Sequence, residues 1–356
     1  MKVGIITLSL ENNYGGILQN FALQKVLKDL GHKPMTCRWT GYTNLGFLKA
    51  ALLSIIKGGR NFPITPWTYN KSRQGLENFI KHNINFHYFR DPNRFLHWYK
   101  PAAMIVGSDQ VWRPIYNSHL YSAYLDFVTD KSIKKIAYAA SFGVGEWEYS
   151  EEQTTQCKDL VHKFDAVSVR EASGVILCKE NFDIDAKCVL DPTLLLDRKV
   201  YEDLCFSEPV QPECILVYMV DYSASIKAEA EKLSKLTGLP IKIMEADKGV
   251  TENDSVAKWL AAFRDAKYVI TDSFHGTAFS IIFEKNFVSV ANIRRGYDRF
   301  ASLLSNLNLL NRLILESSLI VIANMFQDKI DYALVNMAKR IKVDECKAYL
   351  SSALKF

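Results

Sequence analysis

The chain has 356 residues, of which 48% are hydrophobic, so it can bury a sizeable core and has the length of two ordinary domains. Its 44 basic and 39 acidic side chains leave a net charge of +5, spread along the chain without a block of one sign. This composition argues against disorder and does not indicate a nucleic-acid partner; it suits an anionic small substrate at least as well.

The seven cysteines are scattered, with no Cys-x-x-Cys pair and no histidine at zinc-like spacing, so we expect reduced thiols and no metal site. The first apolar run, Val3 to Leu8, is too short for a signal sequence and is typical of a first strand. No apolar run approaches the ~20 residues that span a bilayer. We therefore expect a cytoplasmic protein.

The first strand leads through a turn, Ser9 to Gly16, into a helical pattern of apolar residues that Gly31 ends. Two glycines at a helix entrance let a ligand approach the backbone N–H groups closely. The alternative is a tight turn capped by Asn13. The segment is neither a G-x-G-x-x-G motif nor a P-loop, so the residues leave both interpretations open.

Further buried strands follow in the first half, and several of them stop at a polar residue or a glycine. Helix-length segments separate most of them, which indicates a parallel, doubly wound sheet with ligand loops along one edge. The stretch from 41 to 98 has no clear role. The predicted strands cover residues 33–40, 104–106, 135–140, 166–169 and 188–192.

Two charged residues follow these strands, and each has two interpretations. Asp109 either orients a ligand hydroxyl or caps a turn. Arg170 either binds an anion in bidentate fashion or pairs with Glu171 or another surface acid, and for an isolated arginine the ion pair is the commoner case.

The segment from Asp197 to Pro212 is charged, contains proline and predicts a linker. A second strand–helix series follows, so the chain forms two nucleotide-fold-like halves with a cleft between them. We place the domains at 1–198 and 199–334, with the last helix, about 335–356, packing back on the first domain. The predicted strands of the second half are 214–220, 241–244, 268–270 and 287–290, and the helices are 226–236, 256–263, 277–283, 300–310 and 315–341.

The apolar run from Tyr268 to Ile270 stops abruptly at Thr271-Asp272-Ser273-Phe274-His275-Gly276. His275 should therefore lie at the carboxyl end of a strand and beside the amino end of a helix, where open α/β sheets bind ligands. This position suits an anionic ligand and a proton-transfer residue; a structural histidine is the alternative.

Five segments, taken together, resemble the polysaccharide pyruvyl transferase family, in matching order and spacing from about residue 2 to residue 312. They are Asn13-Tyr14-Gly15-Gly16-Ile17-Leu18-Gln19, Val106-Gly107-Ser108-Asp109-Gln110-Val111-Trp112, Val167-Ser168-Val169-Arg170-Glu171-Ala172-Ser173-Gly174, Val189-Leu190-Asp191-Pro192-Thr193 and Thr271-Asp272-Ser273-Phe274-His275-Gly276.

The resemblance implies two Rossmann-like domains facing a central cleft, similar to GT-B glycosyltransferases. It implies transfer of the pyruvyl group of phosphoenolpyruvate onto two hydroxyls of a sugar in a cell-surface or exopolysaccharide glycan, which forms a cyclic ketal and releases phosphate. Phosphoenolpyruvate is then a co-substrate, with no other cofactor and no metal. The acceptor is a sugar or a lipid-linked oligosaccharide, through which the protein could associate peripherally with a membrane.

Two rival functions stay open: a GT-B-type glycosyltransferase that uses a nucleotide sugar, and a non-catalytic glycan-binding protein. Under the main hypothesis His275 and Asp109 are the catalytic residues, with His275 as general acid or acid/base partner and Asp109 facing the acceptor hydroxyls or ordering the cleft. Arg170 faces His275 from the other domain and binds the phosphate or carboxylate. The other predicted donor-binding residues are Asn13, Tyr14, Gly15, Gly16, Ser273, Gly276 and Arg299. The predicted acceptor-binding residues are Gln19, Gln110, Trp112, Arg294 and Arg295.

One residue departs from the family pattern, because better-studied members carry an arginine at the position of Ser273. We expect a nearby arginine to substitute, and Arg299, which precedes an apolar helix, is the preferred one. Arg294 and Arg295 are alternatives, or belong to a basic surface loop. Large aromatic side chains could stack on sugar rings or belong to the core; they are Trp112, Trp147, Trp259 and Tyr297.

Overall fold

A computed structural model describes residues 1–10, 13–39, 74–89, 91–246, 251, 253–291, 296–316 and 322–355. The first half forms a sheet of seven strands in the order β3-β2-β1-β4-β5-β6-β7, and every pair is parallel. Its strands are β1 (Lys2–Ile6), β2 (Lys33–Trp39), β3 (Phe86–Phe89), β4 (Ala103–Val106), β5 (Lys134–Ala140), β6 (Ala166–Val169) and β7 (Lys187–Cys188).

The second half forms a separate parallel sheet of five strands in the order β12-β11-β10-β8-β9. Its strands are β8 (Cys214–Met219), β9 (Ile241–Glu245), β10 (Ala266–Thr271), β11 (Asn286–Ala291) and β12 (Leu313–Leu315). The strands β4 and β8, each of which has a neighbour on both sides, are buried along their whole length. Such continuous apolar strands are typical of parallel sheets that are covered on both faces.

Helices connect the strands and cover the sheets. In chain order they are α1 (Tyr14–Asp29), α2 (Gln74–Asn83), α3 (Pro92–Tyr99), α4 (Glu151–Val161), α5 (Ala172–Leu177), α6 (Arg198–Leu204), α7 (Ala224–Thr237), α8 (Val256–Asp265), α9 (Phe274–Ile282), α10 (Tyr297–Asn306), α11 (Ile322–Met325) and α12 (Tyr332–Ala353). The largest cluster of buried side chains contains residues of both sheets, such as Ile5 and Leu216, so the two halves share a core.

Several sequence predictions are corrected by the structure. The expected linker contains α6, whose Tyr201 is fully buried, and α6 spans the domain boundary predicted at 198/199. The strand expected over 188–192 ends at Cys188, because Asp191 and Pro192 begin a short 3₁₀ helix, Pro192–Leu195. Pro fits the first position of such a turn, and an aspartate before it caps the free N–H groups.

Two edge strands, β3 and β12, were not predicted, and the closing helix expected over 315–341 is wrong. The structure has β12 up to Leu315, then the short α11 and the long α12. Strands of three or four residues carry too little alternation to be recognised in a sequence, which explains why both were missed.

The long helix α12 connects the two halves. At its start the hydroxyl of Tyr332 donates to the carbonyl of Lys285 at 2.6 Å, in the second half. Near its end the hydroxyl of Tyr349 donates to the carbonyl of Ala137 at 3.1 Å, in the first sheet. The chain thus leaves the first half at α6 and returns along α12.

The described helices include none that is both long enough and apolar enough to cross a membrane. All seven cysteines lie in the described residues, and none of them forms a disulfide.

Candidate active site

A pocket of about 400 Å³ lies between the two sheets, at the carboxyl ends of their strands. In each sheet the strand order reverses at one place, between β1 and β4 in the first and between β8 and β10 in the second. Loops diverge at such a place and leave a crevice that binds ligands in open α/β sheets. The segments that follow these four strands all contribute to the pocket, so both crevices open into one site.

The two halves line this pocket with different residues. The first half contributes Leu8, Asn13, Asp109, Gln110 and Tyr116. The second half contributes Tyr218, Val220, Asp221, Ala246, Asp272, Ser273, Phe274, His275, Arg299 and Phe300.

His275 is the second residue of α9, which begins at Phe274 rather than at 277 as predicted. The helix begins early because Ser273 caps it: the N–H of Gly276 donates to Oγ of Ser273 at 3.1 Å. The histidine is therefore held by the first helical turn, and its side chain is buried except for a small part that lines the pocket.

The imidazole of His275 packs against the first turn of α1, in the other half of the chain. A Cβ atom built on Gly15 would stand 2.0 Å from Nδ1 of His275, far inside contact distance. Gly15 is thus needed for space rather than for an unusual backbone conformation. At the same helix entrance the side chain of Asn13 accepts from the N–H of Gly16 at 3.2 Å, as in the capped-turn interpretation.

The other ring nitrogen of His275 faces Asp191, a residue that the sequence interpretation quoted in a motif but did not assign to the site. Nε2 of His275 lies 3.7 Å from Oδ2 of Asp191, and the same oxygen accepts from Arg170 at 2.9 Å. The second oxygen of Asp191 accepts from the N–H and the hydroxyl of Thr193, at 3.0 and 2.8 Å.

Burial opposes the ionised form of Asp191, yet His275, Arg170 and the N–H of Thr193 together hold its pKa well below its usual range. Asp191 is therefore a carboxylate over the whole physiological range, and it orients His275 from behind the pocket.

The structure contradicts the prediction that Arg170 binds the donor. Its side chain is 1% exposed and pairs with Asp191 and, at 3.4 Å, with Asp109. Its guanidinium also lies 4.3 Å from the centre of the Phe274 ring, and the residue does not line the pocket. An ion pair, the alternative, is what the structure shows, but the partners are two buried aspartates rather than Glu171 or a surface acid.

Asp109 and Gln110 follow β4 and line the pocket. The carboxylate of Asp109 is shared with Arg170, so one of its oxygens is already engaged. Its position suits the ordering role that the sequence left open at least as well as contact with an acceptor.

Two residues predicted to bind the acceptor are buried away from the pocket. Trp112 is 0% exposed, stacks on Tyr124 and donates its indole N–H to the carbonyl of Ala123 at 3.0 Å. Gln19 is also 0% exposed; it donates to Thr7 and accepts from the N–H of Ser108 at 3.0 Å. Both predictions are wrong, because these side chains join neighbouring loops inside the first half.

Other predicted residues support the site without lining it. Tyr14 stacks on the buried Trp259, and a Cβ on Gly276 would stand 2.2 Å from Oγ1 of Thr271. Tyr14 and Gly276 therefore contribute to packing in the first turns of α1 and α9. Arg294 and Arg295 lie outside the described residues.

Arg299, the preferred substitute for the arginine absent at Ser273, lies in the first turn of α10 and lines the pocket. Its guanidinium is 5.9 Å from the centre of the Phe274 ring. Burial, together with the charge of Arg170, lowers the pKa of Arg299 to about 10, which leaves it cationic at neutral pH. Among the described residues that line the pocket, it is the only arginine, and no lysine lines it.

Asp272 is a second carboxylate that the sequence interpretation quoted without a role. It follows β10 and accepts from the N–H groups of Val220 and Asp221, at 2.6 and 2.9 Å. Burial raises its pKa to about 6, and the nearby charge of Asp221 also acts to raise it. An acid at the end of a buried strand was the available signal for Asp272, and the Asp-Pro pair was the signal for Asp191.

The described residues contain no group of three or more His, Cys, Asp or Glu side chains placed to hold a metal ion.

Solved structures with a similar arrangement of domains identify the fold. A UDP-GlcNAc 2-epimerase from Neisseria meningitidis, solved with UDP-GlcNAc bound, superposes with a TM-score of 0.54 at 11% identity, over 99% of each chain. A glycosyltransferase from Rickettsia africae covers 98% of each chain at 12% identity, with a TM-score of 0.48. The likeness to the epimerase, together with the two parallel sheets, confirms the predicted GT-B-like pair of Rossmann-like domains; at this identity the likeness concerns the fold alone.

Comparison with sequences identifies the family. No curated protein matches the chain. The family model described as polysaccharide pyruvyl transferase matches residues 13–294, which include His275, Asp191 and Arg170. This match covers well over half of the chain. The chain therefore belongs to the polysaccharide pyruvyl transferase family of transferases.

Proposed function

We propose that this protein transfers the pyruvyl group of phosphoenolpyruvate onto two hydroxyls of a sugar in a glycan, forms a cyclic ketal and releases phosphate. The observation that carries the proposal is the placement of His275. It belongs to the second half of the chain, packs on Gly15 of the first half, faces Asp191 and borders the pocket. A proton-transfer residue is thus fixed by both halves at the point where they meet.

Phosphoenolpyruvate carries two anionic groups, a phosphate and a carboxylate. Arg299 supplies the cation for one of them, and a guanidinium can bind either group in bidentate fashion. The amino end of α9, at Ser273 and Phe274, adds the partial positive charge of a helix N-terminus. These features support a donor site on the side of His275 that faces α10.

The chemistry then needs a proton at the methylene carbon of phosphoenolpyruvate. In the proposal, His275 donates this proton, which turns the methylene into a methyl group and leaves an oxocarbenium-like C2. Asp191 stabilises the positive charge that the imidazole carries before the transfer. A sugar hydroxyl attacks C2, the bond between C2 and the phosphate oxygen breaks, and the second hydroxyl closes the ketal.

The protons balance without an outside donor. The two sugar hydroxyls release two protons; one replaces the proton that His275 gave to the methylene carbon, and the other leaves with hydrogen phosphate. No oxidation or reduction is involved, so the reaction needs no redox cofactor.

The direct test is release of phosphate from phosphoenolpyruvate by the purified protein, with and without sugar acceptors that carry neighbouring hydroxyls. We expect release that depends on the acceptor, and a product heavier than the acceptor by one pyruvic acid less one water. His275→Gln should reduce the rate by about 10²–10⁴-fold, the usual contribution of a general acid.

A thermal-shift comparison separates this proposal from the nucleotide-sugar alternative. Phosphoenolpyruvate should raise the melting temperature, since a ligand that binds only the folded state stabilises it. Stabilisation by UDP-GlcNAc without any effect of phosphoenolpyruvate would instead favour a glycosyltransferase. Intact glycan binding by His275→Gln, with no turnover even in the wild type, would favour a binding protein.

A further inference from the structure

In the pocket wall that the second half contributes, the positive side chain is separated from the negative ones. The order of the strands accounts for this separation. Strand β10, which leads to His275, lies between β11 and β8 in the sheet. Arg299 follows β11, whereas Asp221 and Ala246 follow β8 and β9. The cation therefore follows the strand on one side of β10, and Asp221 follows the strand on the other side. Asp272 follows β10 itself, but its carboxylate accepts from the N–H groups of Val220 and Asp221 and so lies toward the end of β8.

We propose that the carboxylate side of the pocket, formed by Asp221 and Asp272, binds the two hydroxyls of the acceptor sugar, and that Asp272 accepts the proton of the attacking hydroxyl before this proton leaves with hydrogen phosphate. This inference rests on the proposed function and adds the position of the acceptor to it. The phosphate and carboxylate of the donor are repelled from this side and are left to the side of Arg299.

The geometry of Asp272 suits the role. Each of its oxygens accepts one backbone N–H, from Val220 and Asp221, which fixes the plane of the carboxyl group. A carboxylate oxygen has a second lone pair, so both oxygens can still accept a hydrogen bond from the pocket. Two acceptors fixed side by side match two neighbouring hydroxyls of a sugar ring, which is the group that forms a cyclic ketal.

The surroundings of Asp272 also set when it is ionised. The other titratable or charged residues that line the pocket, among those that the structure describes, are Asp109 after β4, Tyr116, Tyr218 within β8, Asp221 after β8, His275 on α9 and Arg299 on α10. Asp221 raises the pKa of Asp272 by repulsion, and burial raises the pKa of Tyr218 so that this phenol stays neutral. With a pKa of about 6, Asp272 is a carboxylate at neutral pH that can still hold a proton in a reaction cycle.

The experiment compares donor binding, acceptor binding and turnover in three proteins: the wild type, Asp272→Asn and Asp203→Asn. Asp203 is an exposed residue of α6 that pairs with Lys199, so its variant controls for loss of one acidic charge. Donor binding is followed by thermal shift with phosphoenolpyruvate. Acceptor binding is followed by saturation-transfer NMR with the methyl glycosides of glucose, galactose and mannose, in the presence of phosphoenolpyruvate.

For Asp272→Asn we expect phosphoenolpyruvate binding within about twofold of the wild type, loss of the saturation-transfer signal and a turnover lower by about 10²-fold or more. The Asp203→Asn control should match the wild type in all three. Asp272→Asn that keeps acceptor binding and turnover overturns the inference. A wild type that binds no methyl glycoside overturns it as well.

A second variant tests Asp272 without changing its own hydrogen bonds, in case Asp272→Asn folds poorly. The wild-type turnover should rise with pH around 6, as Asp272 ionises. Asp221→Asn removes the repulsion and should move this rise to lower pH, whereas a merely structural Asp272 would leave its position unchanged.

The two proposals fail separately. Methyl glycoside binding that depends on Asp272, together with no release of phosphate from phosphoenolpyruvate, would contradict the proposed reaction and keep the acceptor side. Acceptor-dependent phosphate release that is unaffected in Asp272→Asn would keep the reaction and place the acceptor elsewhere.

Discussion

Gly15 and His275 touch across the boundary between the two halves, and the contact leaves no space for a methyl group. A Cβ on Gly15 would lie 2.0 Å from Nδ1 and 2.2 Å from Cγ of the imidazole. Because His275 is held by the first turn of α9, its ring can move away only by turning out of its place beside Asp191.

Gly15→Ala should therefore lower turnover by about 10²-fold, the cost expected when a reacting group is misplaced by roughly 1 Å. The fold should survive, since alanine favours a helix more than glycine does. Steady-state kinetics and a melting curve check this together. The matched control is Gly16→Ala, whose Cβ would meet nothing closer than 3.6 Å and should keep most of the activity. Equal activity of the two variants would show that the contact does not matter.

Asp191→Asn should destabilise the protein by about 3–5 kcal/mol, because it leaves the 1%-exposed Arg170 with Asp109 alone at 3.4 Å. Urea unfolding at pH 7 measures this as a lower midpoint. Asp29→Asn is the control, since its pair with Lys25 lies on the surface and should contribute little. A midpoint for Asp191→Asn equal to that of the control would contradict the buried-pair interpretation.

The contribution of Asp191 to the unfolding free energy should also depend on pH, in a direction that its lowered pKa sets. Its pKa is lowered by folding, so its carboxylate stabilises the folded state fully above the unfolded value of about 3.9 and loses this effect as the pH falls further. The difference in unfolding free energy between wild type and Asp191→Asn should therefore be constant from pH 5 to 7 and shrink below about pH 4.

The contribution of Asp272 to the unfolding free energy should depend on pH in the opposite direction. Its pKa rises from 3.8 to about 6 on folding, so the folded state prefers the protonated carboxyl. The wild-type unfolding free energy should fall by roughly 3 kcal/mol between about pH 4 and pH 6, at 1.36 kcal/mol per unit of pKa. In Asp272→Asn this decrease in unfolding free energy should be smaller. Parallel stability curves for the two proteins would mean that Asp272 has an ordinary pKa.

Arg299→Lys should weaken the binding of phosphoenolpyruvate by about tenfold, since an ammonium cannot bind a phosphate or carboxylate in two places. The environment that lowers the pKa of Arg299 to about 10 would also lower that of a lysine, so donor binding by the variant should decline as the pH rises above neutrality. Titration calorimetry at pH 7 and pH 9 measures both effects. Arg198→Lys, a partly exposed position that pairs with Glu202, should bind as the wild type does. Unchanged affinity of Arg299→Lys would remove Arg299 from the donor site.

Most of the sheet strands could be predicted from the sequence because buried parallel strands are continuous apolar runs. Residues 104–106 and 214–219 are of this kind, and both strands have a neighbour on each side in their sheets. The edge strand Leu313–Leu315 is only half buried and three residues long, so it resembles a helix fragment in the sequence. The early start of α9 was missed for another reason: Ser273 was considered as a replaced arginine and not as a helix cap.

The sequence allows a prediction of which segments meet at the site. It does not allow a prediction of which side chains face the ligand. A strand that ends in a polar residue indicates the ligand edge of the sheet, and Asp109, Gln110, Ser273 and His275 do line the pocket. Whether a charged residue binds a ligand or a buried partner depends on groups far away in the chain. Arg170 meets Asp109 and Asp191 only after folding, and no local pattern distinguishes it from a free guanidinium.

The return of α12 to the first half makes the C-terminus part of the active-site architecture. The backbone N–H of Leu190, beside Asp191, donates to Sγ of Cys346, 156 positions later. The two halves are therefore connected twice along the chain, once through α6 and once through α12. Shortening the chain before Cys346 would therefore remove the contact of Tyr349 with the first sheet and, at the same time, the partner of Leu190, the residue next to the carboxylate that faces His275.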